Sequence, residues 1–296
     1  MDINESFYQE EIRCNFLVTK ERKRLWAFQL DLLSELDRIC KKYDIRYFAG
    51  GGTMLGAVRH KGYIPWDDDI DINMFRKDYD RFCNVAVKEL REPYFLQTPM
   101  TDIDYASYHI KLRNSNTTCT TKYDMMFEYN QGVFIDIFPY DYIPDEQRER
   151  ESFLCEIRKY RRMLDVGMRK FYHINGVIVP EDEQREIRDF FEKNSFRDVC
   201  RHYDELCAKY ADSPTKNVGV LAYAIEGKLS HPTDWFDDFI CADFEMMRMP
   251  IPKEFDKYLS LHYGHYMELK KTKGMHGELI FLPDTPYKDY LAKEKT

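Results

Sequence analysis

Four carboxylates within five residues constrain this chain more than any other feature of its sequence. Asp67, Asp68, Asp69 and Asp71 lie in one run, and apolar residues alternate with polar ones from position 69 to 74. That alternation predicts a strand with one polar face. Asp69 and Asp71 would share that face, where two charges ~4 Å apart repel by roughly 4 kcal/mol at an effective dielectric of ~20. A bound cation would remove this repulsion, and oxygen ligands favour Mg²⁺ or Mn²⁺.

Two other interpretations of the acidic run fit the sequence less well. Acidic runs are often solvated turns, but this one is interleaved with isoleucines and flanked by Trp66 and Phe75, which predicts partial burial. An EF-hand loop beginning at Asp67 needs glycine at its sixth position and glutamate at its twelfth. The chain has Ile72 and Asp78 there, so we reject this interpretation.

A glycine turn precedes the acidic run by about 17 residues. Gly51, Gly52 and Thr53 follow a strand-like segment and begin a short predicted helix at residues 54–59. Glycines at a helix N-terminus let backbone N–H groups approach an anion closely. A plain tight turn explains the glycines equally well when they are considered alone. Next to paired aspartates, however, they predict a site that holds phosphates against a metal ion.

Further charged residues in the first half of the chain are candidates for the same site. Asp136 lies inside a five-residue apolar run, where an unpaired charge is costly to bury, so we expect it to face a cation or a proton donor. Lys111 and Arg113 alternate on a preceding strand and would pair with that acid or bind phosphate. Arg59 and His60 would bind phosphate or form a solvated basic turn.

The pattern of apolar residues predicts an α+β (mixed α/β) fold. Helices are expected at 19–43, 77–90, 146–168, after Ser195, and from Pro252 to Gly264. Strands are expected at 45–49, 69–74, 94–97, 108–112, 133–138, 219–225 and 239–244. We expect an N-terminal arm at 1–19, a catalytic core at 20–144 and a helix-rich region at 145–296 packed on that core.

Composition and charge exclude several classes of protein. A net charge of −8 argues against a global electrostatic grip on nucleic acid. The N-terminus lacks the apolar segment of a signal peptide, and no apolar run reaches the ~18 residues of a membrane span. The eight cysteines are scattered without a C-x-x-C pair, which is typical of reduced thiols. We therefore expect a cytoplasmic protein, with peripheral binding at the inner membrane face left open.

Residues 50–82, GGGTMLGAVRHKGYIPWDDDIDINMFRKDYDRF, strongly resemble the signature of the LicD family of phosphotransferases, which includes fukutin and fukutin-related protein. Segments 108–119, 132–141 and 249–267 are similar to its later blocks. The resemblance implies a nucleotidyltransferase-like mixed sheet flanked by helices. It places the phosphate turn at Gly52 and Thr53. It implies that Asp69 and Asp71 are the pair of aspartates that bind the metal and that Asp136 is the third acid of the site.

Bacterial members of this family transfer phosphocholine from CDP-choline to a sugar hydroxyl of a surface glycan precursor. The resemblance therefore implies a CDP-choline or related CDP-alcohol donor, a glycan or lipid-linked sugar acceptor of the lipopolysaccharide or teichoic-acid type, and Mg²⁺ or Mn²⁺ as cofactor. A quaternary ammonium is recognised by aromatic faces, for which Trp66, Tyr108 and Phe134 are the candidates. Their alternative role is ordinary core packing.

Three alternatives remain open from sequence. In the first, the chain transfers another phospho-alcohol, such as phosphoethanolamine, glycerol phosphate or ribitol phosphate. In the second, it is a glycosyltransferase, since a D-x-D motif also holds manganese in enzymes that use nucleotide sugars. In the third, it is a pseudo-enzyme that binds choline or nucleotide, although the mutual repulsion of the aspartates argues against this.

Overall fold

The fold of the chain is described by a computed structural model. It covers residues 1–102, 104–167, 173–174, 177–178, 180–224, 230–270 and 279–294. Met168 and Ile225, the predicted ends of a helix and of a strand, lie outside the described residues. Within those residues helices flank a sheet, and the predicted α+β class is confirmed.

The helices are numbered along the chain. They are α1 (Lys20–Tyr43), α2 (Gly51–His60), α3 (Arg76–Glu89), α4 (Gln147–Gly167), α5 (Glu181–Phe191), α6 (Phe196–Cys207), α7 (Leu221–Ala224), α8 (Phe255–Tyr263) and α9 (Tyr287–Glu294). Short 3₁₀ turns occupy Glu5–Tyr8, Asp124–Met126, Ala208–Tyr210 and Thr233–Phe236.

The strands are short, with one exception. They are β1 (Glu11–Arg13), β2 (Phe16–Val18), β3 (Phe48–Ala49), β4 (Asp71–Phe75), β5 (Tyr94–Gln97), β6 (Ile110–Asn114), β7 (Thr118–Thr120), β8 (Val133–Ile143), β9 (His173–Ile174), β10 (Val177–Ile178), β11 (Asn217–Gly219), β12 (His231–Pro232), β13 (Phe239–Phe244), β14 (Met247–Pro252) and β15 (Ile280–Leu282). The long strand β8 has eleven residues.

The chain divides into two compact units. The first comprises Met1–Gln97, Ile110–Phe138 and Trp235–Thr296, and the second comprises Thr98–His109 and Pro139–Asp234. In the first unit β3 pairs with β4, β4 with β8, β8 with β6, and β6 with β5. The β3–β4, β6–β8 and β5–β6 pairs are antiparallel. The central strands of this sheet therefore carry both Asp71 and Asp136.

Helix α1 supplies much of the core of the first unit. The Thr19 hydroxyl accepts the Arg22 N–H (3.2 Å) as an N-cap, and the left-handed Asp44 (φ 50°) ends the helix. The predicted apolar stripe is buried at Leu25 and also at the residues that follow it along the helix, Leu32, Leu36 and Ile39. The predicted helix 19–43 is therefore confirmed.

In the second unit α4 and α6 share a buried cluster. It includes Phe153, Ile157 and Leu164 on α4, and Val199 and Tyr203 on α6. Ser195 caps α6 with a reciprocal capping box, because its side chain accepts from the Asp198 N–H while the Asp198 carboxylate accepts from Ser195 N. Residues 141–143 of β8 pair antiparallel with β11.

Two predicted elements are wrong in part. Residues 219–225 were expected to form a strand, but β11 ends at Gly219 opposite Asp141 and α7 covers Leu221–Ala224. A short apolar run does not distinguish a strand from a buried helical turn, which explains the error. Pro252 does not start a helix: it ends β14 opposite Phe239, and α8 begins at Phe255. Among the helices that the structure describes, none is both long and apolar enough to cross a bilayer.

Candidate active site at the acidic loop

Asp67, Asp68 and Asp69, here called the acidic loop, place three carboxylates side by side. One carboxylate oxygen from each lies within 4.8 Å of the others, and all three side chains are half-buried. The expectation that Asp69 and Asp71 share a strand is wrong, because β4 begins at Asp71. Strand β3 ends at Ala49 opposite Ile72, so it offers no residue opposite Asp69.

Helix α1 holds the acidic loop by its backbone. The Asp67 carbonyl accepts hydrogen bonds from the Arg22 guanidinium (2.6 Å) and the Trp26 indole N–H (3.1 Å). The Gln29 amide donates to the Asp68 carbonyl at 2.7 Å. These bonds fix the course of the loop through its backbone carbonyls.

Sequence reasoning did not identify these three residues of α1. Gln29 is almost fully buried (1% exposed), and its side-chain oxygen accepts from the Tyr63 hydroxyl at 3.1 Å. The Tyr63 ring stacks on Trp26 with centroids 4.4 Å apart. The available signal was a glutamine inside the apolar stripe of a helix, since a polar side chain there requires hydrogen-bond partners.

The glycine turn is tied to β4 next to the acidic loop. The Gly50 N–H donates to the Asp71 carbonyl (2.8 Å), and the Thr53 hydroxyl accepts from the Asp71 N–H (2.8 Å). Thr53 is buried (4% exposed), so its hydroxyl positions Asp71. The turn and the strand are thereby held in register.

Gly51 and Gly52 lie against the carboxylates themselves. A Cβ at Gly52 would lie 3.0 Å from an Asp67 carboxylate oxygen, and one at Gly51 would lie 3.4 Å from an Asp71 oxygen. Gly51 also has φ +36°, which disfavours other residues. Bare backbone at the N-terminus of α2 therefore adjoins the acids, and this arrangement suits an anion that is held together with a cation.

The acidic loop together with Asp71, here called the acid cluster, has electrostatics that favour a cation. Burial raises the pKa of Asp69 well above its usual range, and the neighbouring carboxylates of Asp71, Asp67, Asp136 and Asp68 raise it further. A hard divalent cation would reverse these repulsions. The donor set, made of carboxylate oxygens, fits Mg²⁺ or Mn²⁺, with Asp67, Asp68 and Asp69 as the residues grouped closely enough to share one ion.

Asp136 borders the same cluster but already has a cationic partner. It is buried (3% exposed) and lies opposite Lys111 in the β6–β8 register, with the Lys111 ammonium 2.5 Å from its carboxylate. Burial lowers the pKa of Lys111, whereas the Asp136 charge acts in the opposite direction. The Asp136 N–H donates to the Ile70 carbonyl (2.9 Å), which joins β8 to the end of the loop.

The other predicted phosphate-binding cations make contacts within the first unit. The Arg113 guanidinium donates to the Gln97 side chain (2.5 Å) and the Gly132 carbonyl (2.6 Å). Arg59 donates to the carbonyls of Tyr266 (2.6 Å) and Glu268 (3.1 Å). The structure therefore places Arg113 within the sheet and Arg59 against the segment after α8.

His60 is the acceptor of a further Arg59 bond, from Nε of Arg59 to Nε2 of His60 at 2.9 Å. Burial lowers the pKa of His60 to about 4, and the charges of Arg59 and Arg13 add to that shift. The imidazole is therefore neutral at neutral pH, as its role as an acceptor requires.

The three aromatic candidates are distributed over both units. Trp66 (7% exposed) lies edge-on to Phe16 and His60, with centroids at 6.1 and 6.3 Å. The Phe134 ring is contacted by the Lys111 ammonium, 3.6 Å from its centroid, and by the Arg113 guanidinium at 4.8 Å. Tyr108 belongs to the second unit, where the Arg161 guanidinium lies 5.3 Å from its ring.

Helix α8 contributes two tyrosines that sequence reasoning did not assign. The Tyr258 hydroxyl accepts from the Gly51 N–H at 3.4 Å, and its ring stacks on His262 with centroids 4.1 Å apart. Burial raises the pKa of Tyr263, and the neighbouring Tyr258 and the carboxylates of the acid cluster raise it further. The sequence feature that could have identified these tyrosines is the similarity of segment 249–267 to a block of the family, but that similarity did not single out any residue.

Comparisons with known proteins identify similar sequences over most of the chain. Residues 44–163 match the family described as LicD/FKTN/FKRP, nucleotidyltransferase domain. The chain is 27% identical over 243 residues to lipopolysaccharide cholinephosphotransferase LicD of Haemophilus influenzae, covering 81% of this chain and 89% of that protein.

Two shorter similarities cover only part of the chain. An uncharacterized protein of Rickettsia prowazekii is 30% identical over 140 residues, which is 48% of its length. Ribitol 5-phosphate transferase FKRP of Homo sapiens is 47% identical over 34 residues, 12% of this chain and 7% of that protein. The resemblance inferred from residues 50–82 is confirmed, because residues 44–163 match the LicD/FKTN/FKRP family and most of the chain is similar to a LicD protein. These similarities identify the chain as a phosphotransferase.

Proposed function

We propose that the chain transfers phosphocholine from CDP-choline to a sugar hydroxyl of a cell-surface glycan precursor and releases CMP. The observation that carries this proposal is the group of carboxylates at residues 67–71, set against the bare backbone of Gly51 and Gly52. Similarity to the Haemophilus protein supports this proposal, because that protein is named a lipopolysaccharide cholinephosphotransferase. Choline phosphate corresponds to the transferred group, and lipopolysaccharide corresponds to the class of acceptor.

Asp67, Asp68 and Asp69 would hold Mg²⁺ or Mn²⁺, with Asp71 beside them. When bound, such an ion would neutralise charge on the phosphate oxygens and orient the phosphoryl group. The raised pKa of Asp69, whose neighbouring carboxylates oppose its ionisation, supports this assignment. The closeness of Asp67 to Gly52 puts a carboxylate next to the proposed phosphate turn.

The chain's own residues would orient the donor and move one proton. The diphosphate would lie over the Gly51–Gly52 turn, while Thr53 holds the backbone of Asp71. The acceptor hydroxyl oxygen forms a bond to phosphorus as the bond from phosphorus to the CMP oxygen breaks. A carboxylate takes the hydroxyl proton. Asp136 suits this role because the Lys111 ammonium 2.5 Å away favours its ionised form.

Trp66 is the aromatic residue that we propose for choline. It immediately precedes the acidic loop, and a quaternary ammonium is attracted to both an aromatic face and a negative potential. Phe134 is less suitable, since the cations of Lys111 and Arg113 already lie over its ring and would repel the headgroup.

The donor is tested by incubating the purified chain, with Mg²⁺ or with EDTA, in separate reactions with CDP-choline, CDP-ethanolamine, CDP-glycerol, CDP-ribitol and UDP-sugars. We expect metal-dependent release of CMP, fastest from CDP-choline. Release of UDP from a UDP-sugar alone would indicate a glycosyltransferase. Failure to release nucleotide from every donor would indicate a pseudo-enzyme.

A second candidate substrate is CDP-ribitol. The observation that favours it is the 47% identity to ribitol 5-phosphate transferase over 34 residues. The mass of a lipid-linked sugar acceptor after the reaction separates the two, because phosphocholine and ribitol phosphate add different masses.

A further inference from the structure

The end of helix α8 lies against the first turn of α2, at the acid cluster. Tyr258 is buried (3% exposed), and its hydroxyl accepts the Gly51 N–H at 3.4 Å. Five residues later the helix ends at Tyr263, followed by Gly264 with φ +62°. The contact between Tyr258 and Gly51 therefore fixes the position of Tyr263 relative to α2.

The Tyr263 hydroxyl occupies the space beside the bare backbone of Gly51. A Cβ at Gly51 would lie 3.6 Å from that hydroxyl and 3.4 Å from an Asp71 carboxylate oxygen. Hydroxyl, glycine and carboxylate thus border one small volume. A side chain at position 51 would fill that volume.

The two tyrosines differ in what their hydroxyls contact. That of Tyr258 is engaged by Gly51, whereas within the described part of the chain the Tyr263 hydroxyl makes no hydrogen bond. The Tyr263 side chain is half-buried, and its ring centroid lies 5.8 Å from that of the adjacent His262. A phenol is protonated at neutral pH and can donate one hydrogen bond. Among carboxylates, this neutral donor can contact an anion that the acids themselves would repel.

We propose that the Tyr263 hydroxyl donates a hydrogen bond to a phosphate oxygen of a nucleoside diphosphate bound over Gly51. This inference rests on the proposed function and adds a donor-binding residue to it. The phosphate would approach the volume that Gly51 leaves open, where a cation held by the acids and the phenol would both face it.

The test compares Tyr263→Phe with Tyr266→Phe. Both substitutions remove one hydroxyl from the same segment, but the Tyr266 hydroxyl donates to Asp256 (2.7 Å). Calorimetry measures the binding of CDP in the presence of Mg²⁺. A hydrogen bond to a charged acceptor predicts a loss of affinity of roughly 10- to 100-fold in Tyr263→Phe and little change in Tyr266→Phe.

A second measurement separates phosphate binding from support of the acids. Binding of Mn²⁺ without nucleotide, followed by electron paramagnetic resonance, should be the same in wild type and Tyr263→Phe. Unchanged CDP affinity in Tyr263→Phe would overturn the inference, and so would an equal loss of CDP and Mn²⁺ affinity. If wild type binds CDP but releases no CMP from CDP-choline, the proposed donor is wrong, whereas the comparison of the two variants still decides the role of Tyr263.

Discussion

Asp69 and Asp136 are both carboxylates set in apolar sequence, yet the fold surrounds them differently. Asp69 lies among four other acids, and both burial and their charges raise its pKa. Asp136 is more deeply buried but has the Lys111 ammonium 2.5 Å from its carboxylate. A buried charge with an internal partner needs nothing from outside, whereas a group of like charges is relieved by a ligand. The comparison therefore supports the acidic loop, rather than β8, as the cation site that we propose.

The largest expected effect is on catalysis at the acidic loop. Asp69→Asn removes a central carboxylate with little change in shape, so CMP release from CDP-choline should fall by more than about 100-fold, beyond the range seen for outer-sphere partners of a metal. The matched control is Asp243→Asn, at an exposed acid 3.7 Å from Arg248. Retention of more than a few per cent of activity would show that Asp69 is not a ligand.

Breaking the internal pair should affect stability rather than only activity. Lys111→Met leaves Asp136 buried without its cation, and urea unfolding should show a loss of about 3–5 kcal/mol. The double variant Lys111→Met/Asp136→Leu should recover most of that loss, because neither charge remains. If the single variant were as stable as wild type, the pair would have no structural role.

A smaller effect is expected where α1 holds the acidic loop. Gln29→Leu removes the donor to the Asp68 carbonyl and should lower the unfolding free energy by about 1–3 kcal/mol. Because the loop would lose its fixed course, the affinity for Mn²⁺ should fall as well. The control Gln147→Leu changes an exposed glutamine bonded to Glu151. A loss of stability without any loss of Mn²⁺ affinity would limit Gln29 to a purely structural role.

The smallest effect is the pH dependence of stability without metal. The folded-state pKa of Asp69 lies above its unfolded value of about 4, so the folded state binds the proton more tightly. Its contribution is fully present below pH 4 or so and is lost as pH rises through the folded pKa. In EDTA, Asp69→Asn should therefore exceed wild type in unfolding free energy near neutral pH, with the difference shrinking toward acid. A difference that does not vary with pH would contradict the raised pKa.

Local patterns predicted much of the fold. The cap at Thr19 and the periodicity after it predicted α1, and the strands predicted at 94–97 and 239–244 match β5 and β13. Segment 219–225 was mispredicted because apolar residues there suit both a strand and a helical turn. Pro252 was mispredicted as a helix start because it belongs to β14, which pairs with β13, and the pattern of residues alone does not reveal this pairing.

For the site, sequence identified the residue types but not all of their partners. The closeness of Gly51 and Gly52 to the aspartates could be predicted, because a close backbone approach needs glycine. The contacts of Arg22 and Gln29 with loop carbonyls, and of Tyr258 with Gly51, join residues 39 to 207 positions apart. No spacing rule connects such residues. The raised pKa of Asp69 likewise depends on Asp136, which lies on β8, far from the acidic loop in sequence.

Binding of Mn²⁺ to the purified chain, measured by electron paramagnetic resonance with and without CDP, tests the central claim most directly. We predict one saturable class of site in wild type and in Asp243→Asn that is lost in Asp69→Asn. Absence of Mn²⁺ binding to wild type even with CDP, or equal binding to Asp69→Asn, would contradict the assignment of the acidic loop as the metal site of this phosphotransferase.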